Sequence, residues 1–530
     1  GPEITNEGSI YSYRFNDQNY KLKEGKTAFD AHQIKAVGTI LSIEENFPDK
    51  NVVEVFVSKR RKNVEMPSLL TLGNTTPPQV HQHDQALNKF LEDYILNDGK
   101  NYKSIMDMLE RKCPDIKDIK SGSKLINEDE ELISQSTEIV KNLNNSYLTI
   151  QGPPGTGKTY SSANIIIELM KAGKKVGVTS NSHEAIKTLL IAIEKQALKQ
   201  NFDFNGMRKA RSSDKYDWKF IQDITTGKPL NFSDYSLYAG TSWFFVDPRM
   251  NKSLDYLFID EAGQVALGTT IASATAAKNL VLIGDQMQLS QPMRAKHEGY
   301  AKLSSLDFIL EDNDTIPADK GVFLNITRRL NNKICNYIST SFYDSRLSPD
   351  PITETRSVNL KLDPIKDEGL FYVPIEHSGC SQRSDEEADL VEKTYNKIIG
   401  KEFKSGKTKG KISAKDIMVV APYNAQANNI RERLKKKFKD DVRVGTIDLF
   451  QGQEAKVVLI SMTTSDVESL PRHKDFFFSR NRLNVAISRA ECVAIIIFNE
   501  NLLLASANSI KEMKLMNSFC KLLKFKTNYK

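Results

Sequence analysis

A glycine-rich segment at residues 148–159 carries the residue types that bind phosphate groups. An apolar strand leads into the spacing G-x-x-x-x-G-K-T, which ends at Lys158 and Thr159 and runs into a helix-forming stretch. The glycines let successive backbone N–H groups point at phosphate oxygens, and the helix adds the positive end of its dipole. Lys158 can reach the β- and γ-phosphates, and the Thr159 hydroxyl can ligate Mg²⁺. The segment therefore predicts a site for a nucleoside triphosphate, in preference to a glycine turn that binds nothing. The residues predicted to hold the nucleotide here are Gly152, Pro153, Pro154, Gly155, Thr156, Gly157, Lys158, Thr159 and Tyr160.

Two further apolar strands end in side chains that suit phosphate chemistry. Residues 254–259 are followed by Asp260, which can hold Mg²⁺ through its water shell, and by Glu261, which can orient and deprotonate an attacking water. Alone, such a pair fits a helix N-cap followed by a solvated glutamate equally well. Residues 279–283 lead to Gln288, a neutral side chain that could sense the γ-phosphate. Together with the phosphate loop, these residues predict a nucleoside triphosphatase.

Three more motifs follow in order, at residues 421–426 (APYNAQ), 444–454 (VGTIDLFQGQE) and 481–490 (NRLNVAISRA). With the phosphate loop, D-E-A-x-Q and G-D-x-x-Q-L, they resemble the superfamily 1 helicases. The resemblance is to the 1B branch, which contains senataxin and the RNA helicase of nonsense-mediated decay, and it covers roughly residues 125–500.

A closer resemblance is to a bacterial family that fuses a RecB-like nuclease to such a helicase. It rests on residues 240–243 (GTSW), 258–264 (FIDEAGQ) and 480–489 (RNRLNVAISR). The chain carries no candidate nuclease domain, so the resemblance concerns the helicase part. It implies a RecB-like nuclease domain or subunit as a candidate partner.

The resemblance implies roles for four residues outside the phosphate loop. Arg329 and Arg489 would be the two arginine fingers that the second motor domain supplies. Gln135 matches the family's adenine-reading glutamine, and Glu454 matches its ribose-contacting acid. The relatives have an aromatic residue where this chain has Arg328, which leaves the stacking of the adenine open.

Contacts to nucleic acid are expected at the edges of both sheets opposite the nucleotide. Hydroxyls, amides and backbone N–H groups at strand ends bind phosphates without reading the base sequence, and an aromatic ring can stack on a base. Trp243 and Tyr423 fit a buried core position equally well. The candidates are Ser180, Asn181, Thr241, Trp243, Pro422, Tyr423 and Thr446.

Composition is typical of a multidomain protein of the cytoplasm. Of the 530 residues, 39% are hydrophobic and 27% charged, and no apolar run approaches the roughly 20 residues of a membrane helix. The five cysteines show no C-x-x-C pairing, as expected for thiols in a reducing compartment.

The net charge of +7 is too small to indicate nucleic-acid binding by itself. Among the local basic runs, Lys59–Lys62 is the better candidate for phosphate contact. The Gly1-Pro2 start is typical of a cleaved fusion, so we expect a motor excised from a longer protein.

The order of patterns along the chain predicts four parts. Short β-rich runs predict a small barrel, and helical spacing that puts Leu87, Phe90, Leu91, Tyr94 and Ile95 on one face predicts a stalk. Strands then alternate with helical runs twice, as in two parallel sheets covered on both faces. The expected fold is α/β, with two RecA-like motor domains behind an accessory barrel and stalk. The predicted parts are the barrel at 1–65, the linker and stalk at 66–125, and the two motor domains at 126–315 and 316–530.

Two functions fit these residues. The first is a helicase or translocase on single-stranded nucleic acid that uses ATP and Mg²⁺; by resemblance it acts on DNA in preference to RNA and moves 5′ to 3′. The second is a nucleic-acid-gated ATPase clamp that remodels a partner without processive unwinding. Both need the same ATP site, so the motifs do not separate them.

Overall fold

The computed structural model forms two compact units, residues 1–81 and 82–530. Arg61 and Lys62 of the predicted basic run lie outside the described residues, as do residues 75–79 of the predicted linker. The residues described are all except 1, 16–21, 32–34, 45–50, 61–65, 74–79, 212–213, 226–234, 291–296, 407, 439–440, 451, 466–477, 508 and 528–530.

The N-terminal unit is an antiparallel sheet of six strands. Its strands are β1 (Glu3–Ile4), β2 (Gly8–Phe15), β3 (Thr27–Asp30), β4 (Lys35–Glu44), β5 (Asn51–Ser58) and β6 (Leu72–Gly73). Alternating residues of the strands, such as Val53 and Val55, point to a small apolar core that also contains Ala28, Val37 and Ile40. The spatial order is β1-β2-β5-β4-β3-β6, and within the described residues no pairing joins β6 back to β1. The β-rich prediction is therefore confirmed, while closure into a barrel stays a prediction.

The first half of the larger unit contains a parallel sheet of eight strands. The strands are β7 (Tyr147–Gln151), β8 (Val176–Thr179), β9 (Gly206–Lys209), β10 (Ile221–Ile224), β11 (Leu237–Ala239), β12 (Leu254–Ile259), β13 (Ala277–Gly284) and β14 (Gly321–Phe323). Their order is β10-β9-β11-β8-β12-β13-β7-β14. The helices of this half are α1 (His81–Asn97), α2 (Lys103–Leu109), α3 (Leu132–Lys141), α4 (Lys158–Lys171), α5 (His183–Lys199), α6 (Ser242–Phe245), α7 (Leu267–Ala274) and α8 (Ser305–Leu310). Strands β7, β12 and β13 are buried apolar runs, as expected for a sheet covered on both faces.

Because β7, β13, β12 and β8 are neighbours, the segments that follow them meet at one edge of the sheet. The sheet also extends beyond the predicted domain boundary at residue 315. Gly321 pairs with Thr149, so β14 belongs to the first sheet. A strand of three residues is too short to show a periodicity, and only its pairing with β7 identifies it.

The second half repeats the arrangement with a parallel sheet in the order β18-β24-β23-β21-β22. The strands here are β15 (Ile326–Thr327), β16 (Ser348–Pro349), β17 (Ser357–Val358), β18 (Gly369–Pro374), β19 (Glu402–Ser405), β20 (Thr408–Lys411), β21 (Ile417–Ala421), β22 (Arg443–Thr446), β23 (Ala455–Ser461) and β24 (Ala490–Phe498). The helices are α9 (Asn332–Phe342), α10 (Asp385–Ile398), α11 (Asn424–Phe438), α12 (Arg480–Ile487) and α13 (Ile510–Cys520). Two parallel sheets of this kind confirm the predicted pair of RecA-like domains.

Helix α1 buries a different face from the one that its spacing predicts. Phe90 is buried as expected, but Leu91, Tyr94 and Ile95 are exposed. The buried face includes Asp93, whose carboxylate accepts hydrogen bonds from the side chain of Asn97 and from the backbone and side chain of Asn101. The helix therefore turns a hydrogen-bonded acid inward, and two overlapping apolar faces cannot be ranked from spacing alone.

Candidate functional site

The phosphate-loop motif folds into a tight turn between β7 and α4. Gly155 and Gly157 have φ values of 78° and 81°, in the left-handed region that favours glycine. A Cβ atom on Gly155 would lie 2.4 Å from the Cβ of Arg329, so a side chain there would push the second domain away. The Lys158 ammonium donates to the Gly152 carbonyl at 2.6 Å, which holds the charge over the loop. The phosphates of a nucleotide can therefore be bound by the curved backbone, the Lys158 ammonium and the N-terminus of α4 together.

Asp260 and Glu261 follow β12 at the same edge of the sheet. Asp260 is 8% exposed, and its carboxylate accepts a hydrogen bond from the Glu261 N–H at 2.9 Å. Burial and then the neighbouring charge of Glu261 raise the pKa of Asp260 to about 7. Glu261 has a φ of 53°, a strained conformation for a residue with a side chain and one that clusters at functional sites. A buried carboxylate beside a second acid gains from a bound cation, and oxygen ligands suit Mg²⁺.

The loop after β13 is fixed by a buried network. Asp285 accepts hydrogen bonds from the Tyr343 hydroxyl at 2.7 Å and from the Met287 N–H at 3.1 Å. Burial raises the pKa of Asp285. Its backbone carbonyl accepts from the Gln288 N–H at 3.2 Å, which brings the Gln288 side chain to the wall of the cleft. The sequence marks Gln288, but it gives no sign that Tyr343 orients this loop.

Two arginines reach the same cleft from the second domain. Arg329 donates from Nε to the Glu454 carboxylate at 2.7 Å. Arg489 is 4% exposed and donates from Nη1 to the Gln453 carbonyl at 3.1 Å. Burial and then the charge of Arg329 lower the pKa of Arg489 to about 10. A buried arginine beside a half-buried one favours an anionic ligand between the domains.

One cleft contains most of the predicted nucleotide and catalytic residues. Arg328 also lies in its wall and forms an ion pair with Asp350 at 3.3 Å. Gly152 supports the loop from behind, and Tyr160 is exposed on α4. The predicted residues that line the cleft are Pro153, Pro154, Gly155, Thr156, Gly157, Lys158, Thr159, Asp260, Glu261, Gln288, Arg329, Glu454 and Arg489.

Gln135 lies apart from these residues. Its side-chain amide accepts from the Asn127 N–H at 2.7 Å and donates to the Asn127 carbonyl at 2.8 Å. The amide is therefore held in a fixed orientation by the main chain ahead of α3. Its predicted role in reading adenine stays a prediction.

Ser180 and Asn181 lie in the wall of the nucleotide cleft, and their contact with nucleic acid stays a prediction. Both line the nucleotide cleft, because β8 lies directly beside β12 and its carboxyl end opens into the same space. The Ser180 hydroxyl is buried, and it makes no hydrogen bond within the described part of the chain. Asn181 donates to the Gln264 carbonyl. These two side chains are close enough to the phosphate loop to take part in nucleotide binding.

The other predicted strand contacts lie away from the cleft. Thr241 precedes α6, and Trp243 is 41% exposed with its ring edge-on to His83 at 4.3 Å between centroids. Thr446 ends β22 and pairs with Ala421. Tyr423 is only 6% exposed and packs in the core, which corrects the expectation of a ring free to stack on a base.

Helix α12 joins the two domains through contacts that the motif letters do not reveal. Arg480 forms a bidentate ion pair with Asp314, with N–O distances of 2.9 and 2.6 Å. Asn481 donates to the Gln288 carbonyl at 2.5 Å, and Asn484 donates to the Tyr343 hydroxyl at 2.8 Å. The motif that contains Arg489 therefore also forms hydrogen bonds with the loop after β13 in the first domain.

Known proteins are similar to this chain over most of its length. Two models, each described as an AAA domain, match residues 134–297 and 304–501. The DNA polymerase alpha-associated DNA helicase A of Schizosaccharomyces pombe is 25% identical over 73% of this chain and 65% of its own length. The Regulator of nonsense transcripts 1 homolog of Neurospora crassa is 26% identical over 70% of this chain and 37% of its own. The DNA replication ATP-dependent helicase/nuclease DNA2 of Saccharomyces cerevisiae is 25% identical over 71% and 26%.

The chain belongs to the superfamily 1B helicases. This family uses ATP and Mg²⁺, and the phosphate loop, Thr159 and Asp260 suit both. The chain spans less than two thirds of the length of each of the three relatives. The closer resemblance to the bacterial nuclease–helicase family stays a prediction. Among the described residues, no helix combines the length and the apolar composition that a membrane span requires.

The raised pKa of Asp260 predicts a pH-dependent stability of the nucleotide-free, metal-free helicase. The folded state holds the proton up to about pH 7, whereas an unfolded aspartate loses it near pH 4. Stability is therefore lost as the pH rises through this window, by on the order of 4 kcal/mol. Asp260→Asn should raise the free energy of unfolding at pH 8 and leave it unchanged at pH 4, as measured by urea denaturation.

Asp255, on the same strand, provides a control of opposite sign. Its burial alone would raise its pKa, but hydrogen bonds from Lys175 and Lys278 outweigh this and lower it. Asp255→Asn should therefore lower stability at pH 8. An equal effect of Asp260→Asn at both pH values would show that this carboxyl does not titrate as inferred.

Proposed function

We propose that this chain is an ATP-dependent helicase that translocates on single-stranded nucleic acid. The observation that carries the proposal is the cleft in which Arg329 and Arg489 face the phosphate loop, Asp260 and Glu261. Phosphoryl transfer is catalysed mainly by positioning and by neutralising charge on the transferring group. An ATP site divided between two domains couples hydrolysis to their relative motion.

Each residue of the cleft has a distinct part in this proposal. The loop N–H groups and Lys158 bind the phosphates of ATP, and Mg²⁺ held near Thr159 and Asp260 neutralises phosphate charge when bound. Glu261 orients a water molecule and accepts its proton. Arg329 and Arg489 stabilise the charge on the transferring phosphoryl group. Gln288, on the loop that α12 grips, links the state of the phosphates to the second domain.

We infer that the two domains move relative to each other when the γ-phosphate binds, because the arginines lie on one domain and the phosphate loop on the other. Thr327 donates to the Pro154 carbonyl at 2.9 Å, and the Arg328 N–H donates to the Gly155 carbonyl at 2.8 Å. The segment that carries Arg329 is therefore attached to the phosphate loop itself. A small change in that loop moves the arginine directly.

The names of the relatives and the family resemblance support the proposed substrate and direction. Two of the three relatives are DNA helicases by name, and one is a regulator of nonsense transcripts, which favours DNA over RNA. Movement from 5′ to 3′ follows from the resemblance to superfamily 1B. A RecB-like nuclease domain or subunit is a candidate partner, and the helicase/nuclease DNA2 offers one parallel. We also infer that the protein works in the cytoplasm, since its five free cysteines suit a reducing compartment.

Hydrolysis should depend on Glu261 and Arg489. Glu261→Gln should bind ATP normally and lower turnover by at least about 100-fold, because the general base is lost. Arg489→Ala should lower turnover by about 1,000-fold or more, because an arginine finger is lost. The ATPase rate is measured with and without single-stranded DNA, which should stimulate the unaltered chain. Arg249→Ala is the matched control, because Arg249 is exposed, pairs with Asp247 and is not part of the cleft wall. Wild-type turnover in Glu261→Gln would remove Glu261 from the role of base.

The strand track should depend on Trp243, the exposed aromatic residue among the predicted contacts. Trp243→Ala should weaken binding of single-stranded DNA by about 5- to 100-fold through the loss of base stacking, without changing ATP affinity. Thr446→Ala should weaken it less, because one phosphate contact is lost. Tyr300, an exposed ring that packs on Phe308, is the control. Fluorescence anisotropy measures the affinity, and equal losses for Trp243→Ala and Tyr300→Ala would mean that the track lies elsewhere.

Unwinding should depend on the N-terminal unit, while nucleotide binding should not. Removal of residues 1–80 deletes nearly all of one compact unit and keeps α1. We expect ATP affinity to be retained and unwinding of a duplex with a 5′ single-stranded tail to be lost or strongly reduced. The intact chain should not unwind a duplex with a 3′ tail. Stimulated ATPase without unwinding of either duplex by the intact chain would instead favour an ATPase clamp.

A further inference from the structure

A cluster of three metal-binding side chains lies in the loop between β18 and α10. A ring nitrogen of His377, the thiol of Cys380 and a carboxylate oxygen of Glu386 are all within 4.8 Å of one another. The Cys380 Sγ and the Glu386 Oε2 are 3.9 Å apart. None of the three lines the nucleotide cleft, so the cluster is separate from the ATP site.

The buried His377 ring has one nitrogen held and one free. Nε2 lies 3.0 Å from the Glu387 carboxylate, and both side chains are fully buried. Glu387 also accepts hydrogen bonds from the Ser461 hydroxyl at 2.6 Å and the Thr463 N–H at 2.8 Å. The Glu387 carboxylate accepts from a protonated Nε2, and in the neutral ring this places the lone pair on Nδ1. Nδ1 is buried without a hydrogen-bond partner in the described chain.

This arrangement is the one that metal-ligating histidines adopt. Such a histidine commonly donates its second ring N–H to a carboxylate, which fixes its tautomer and ring orientation. A buried imidazole nitrogen with no donor to accept from is unfavourable by itself, and a cation would satisfy it. Glu387 is therefore the orienting residue, and His377, Cys380 and Glu386 are the ligands.

We propose that His377 Nδ1, Cys380 Sγ and Glu386 bind a Zn²⁺ ion. A thiolate, an imidazole and a carboxylate favour zinc over magnesium or calcium, which prefer oxygen ligands alone. Tetrahedral coordination needs ligand atoms about 3.6 Å apart, so the side chains need only small adjustments. Glu386 is exposed and Cys380 half-buried, which gives the ion access and leaves a fourth position for water.

The ion would add a further link to a loop that hydrogen bonds already hold to the neighbouring segments. The Cys380 N–H donates to the Ser465 hydroxyl at 2.9 Å, and the Ser465 N–H donates to the Cys380 carbonyl at 2.9 Å. Ser384, which begins α10, accepts from and donates to the side chain of Gln426 on α11. A metal ion bound by His377, Cys380 and Glu386 would link residues 377–380 of the loop to the first turn of α10. The site lies at the carboxyl edge of the second sheet, with three protein ligands and one position open to water.

The test is titration of the metal-free, nucleotide-free full chain with Co²⁺ as a spectroscopic substitute for Zn²⁺. We expect a thiolate-to-cobalt absorption band that saturates at one equivalent and that Zn²⁺ abolishes by displacement. Cys380→Ser should remove the band, because the thiolate is lost. Glu386→Gln should keep the band but weaken the affinity by at least about tenfold.

Cys520→Ser is the matched control, because Cys520 is also partly buried and should leave the band unchanged. Glu386 is exposed, so Glu386→Gln keeps the test valid even if Cys380→Ser folds poorly. Absence of the band in the unaltered chain, or a band that survives Cys380→Ser, would overturn the proposal. An unchanged affinity in Glu386→Gln would overturn the three-ligand set.

Discussion

The attachment of the second domain to the phosphate loop is the constraint on which the site depends. Backbone and hydroxyl groups of residues 327–328 donate to the carbonyls of Pro154 and Gly155. The two segments approach so closely that only glycine fits at position 155. The loop that binds phosphates is thereby in direct contact with the segment that carries Arg329. The conformation of the phosphate loop and the position of Arg329 therefore depend on one contact.

Charge balance explains why the cleft is divided between two domains. Asp260 and Glu261 lie on the first sheet, and Arg329 and Arg489 are delivered by the second. In a single rigid domain, these buried charges would pair with each other, and desolvation would make them costly without any ligand. Separated across a cleft, they leave room for a substrate that carries several negative charges and a cation. The shifted pKa values of Asp260 and Arg489 reflect this arrangement.

Helix α12 provides a second connection between the domains. Its asparagines bind the loop after β13, and that loop is fixed by the buried pair Asp285 and Tyr343. The positions of Gln288 and Arg489 therefore depend on the same helix and the turn that follows it. Tyr343 directly follows α9, a helix that carries no recognisable motif, so its part in this network is visible only in three dimensions.

The sequence by itself determined the chemistry and the fold class. Glycine spacing, strand-end acids and arginine motifs depend on local geometry that the chain encodes within a few residues, and buried strands such as β7 and β12 show as apolar runs. Only the tertiary structure decided which strand ends meet, and this placed Ser180 in the nucleotide cleft and β14 in the first sheet. Tertiary packing also decided that Tyr423 is buried and that Asp93 of α1 faces the interior. Each of these depends on contacts between residues far apart in the chain, and periodicity carries no information about such contacts. The lone pair of His377 is a further case, since only the position of Glu387 fixes which nitrogen is free.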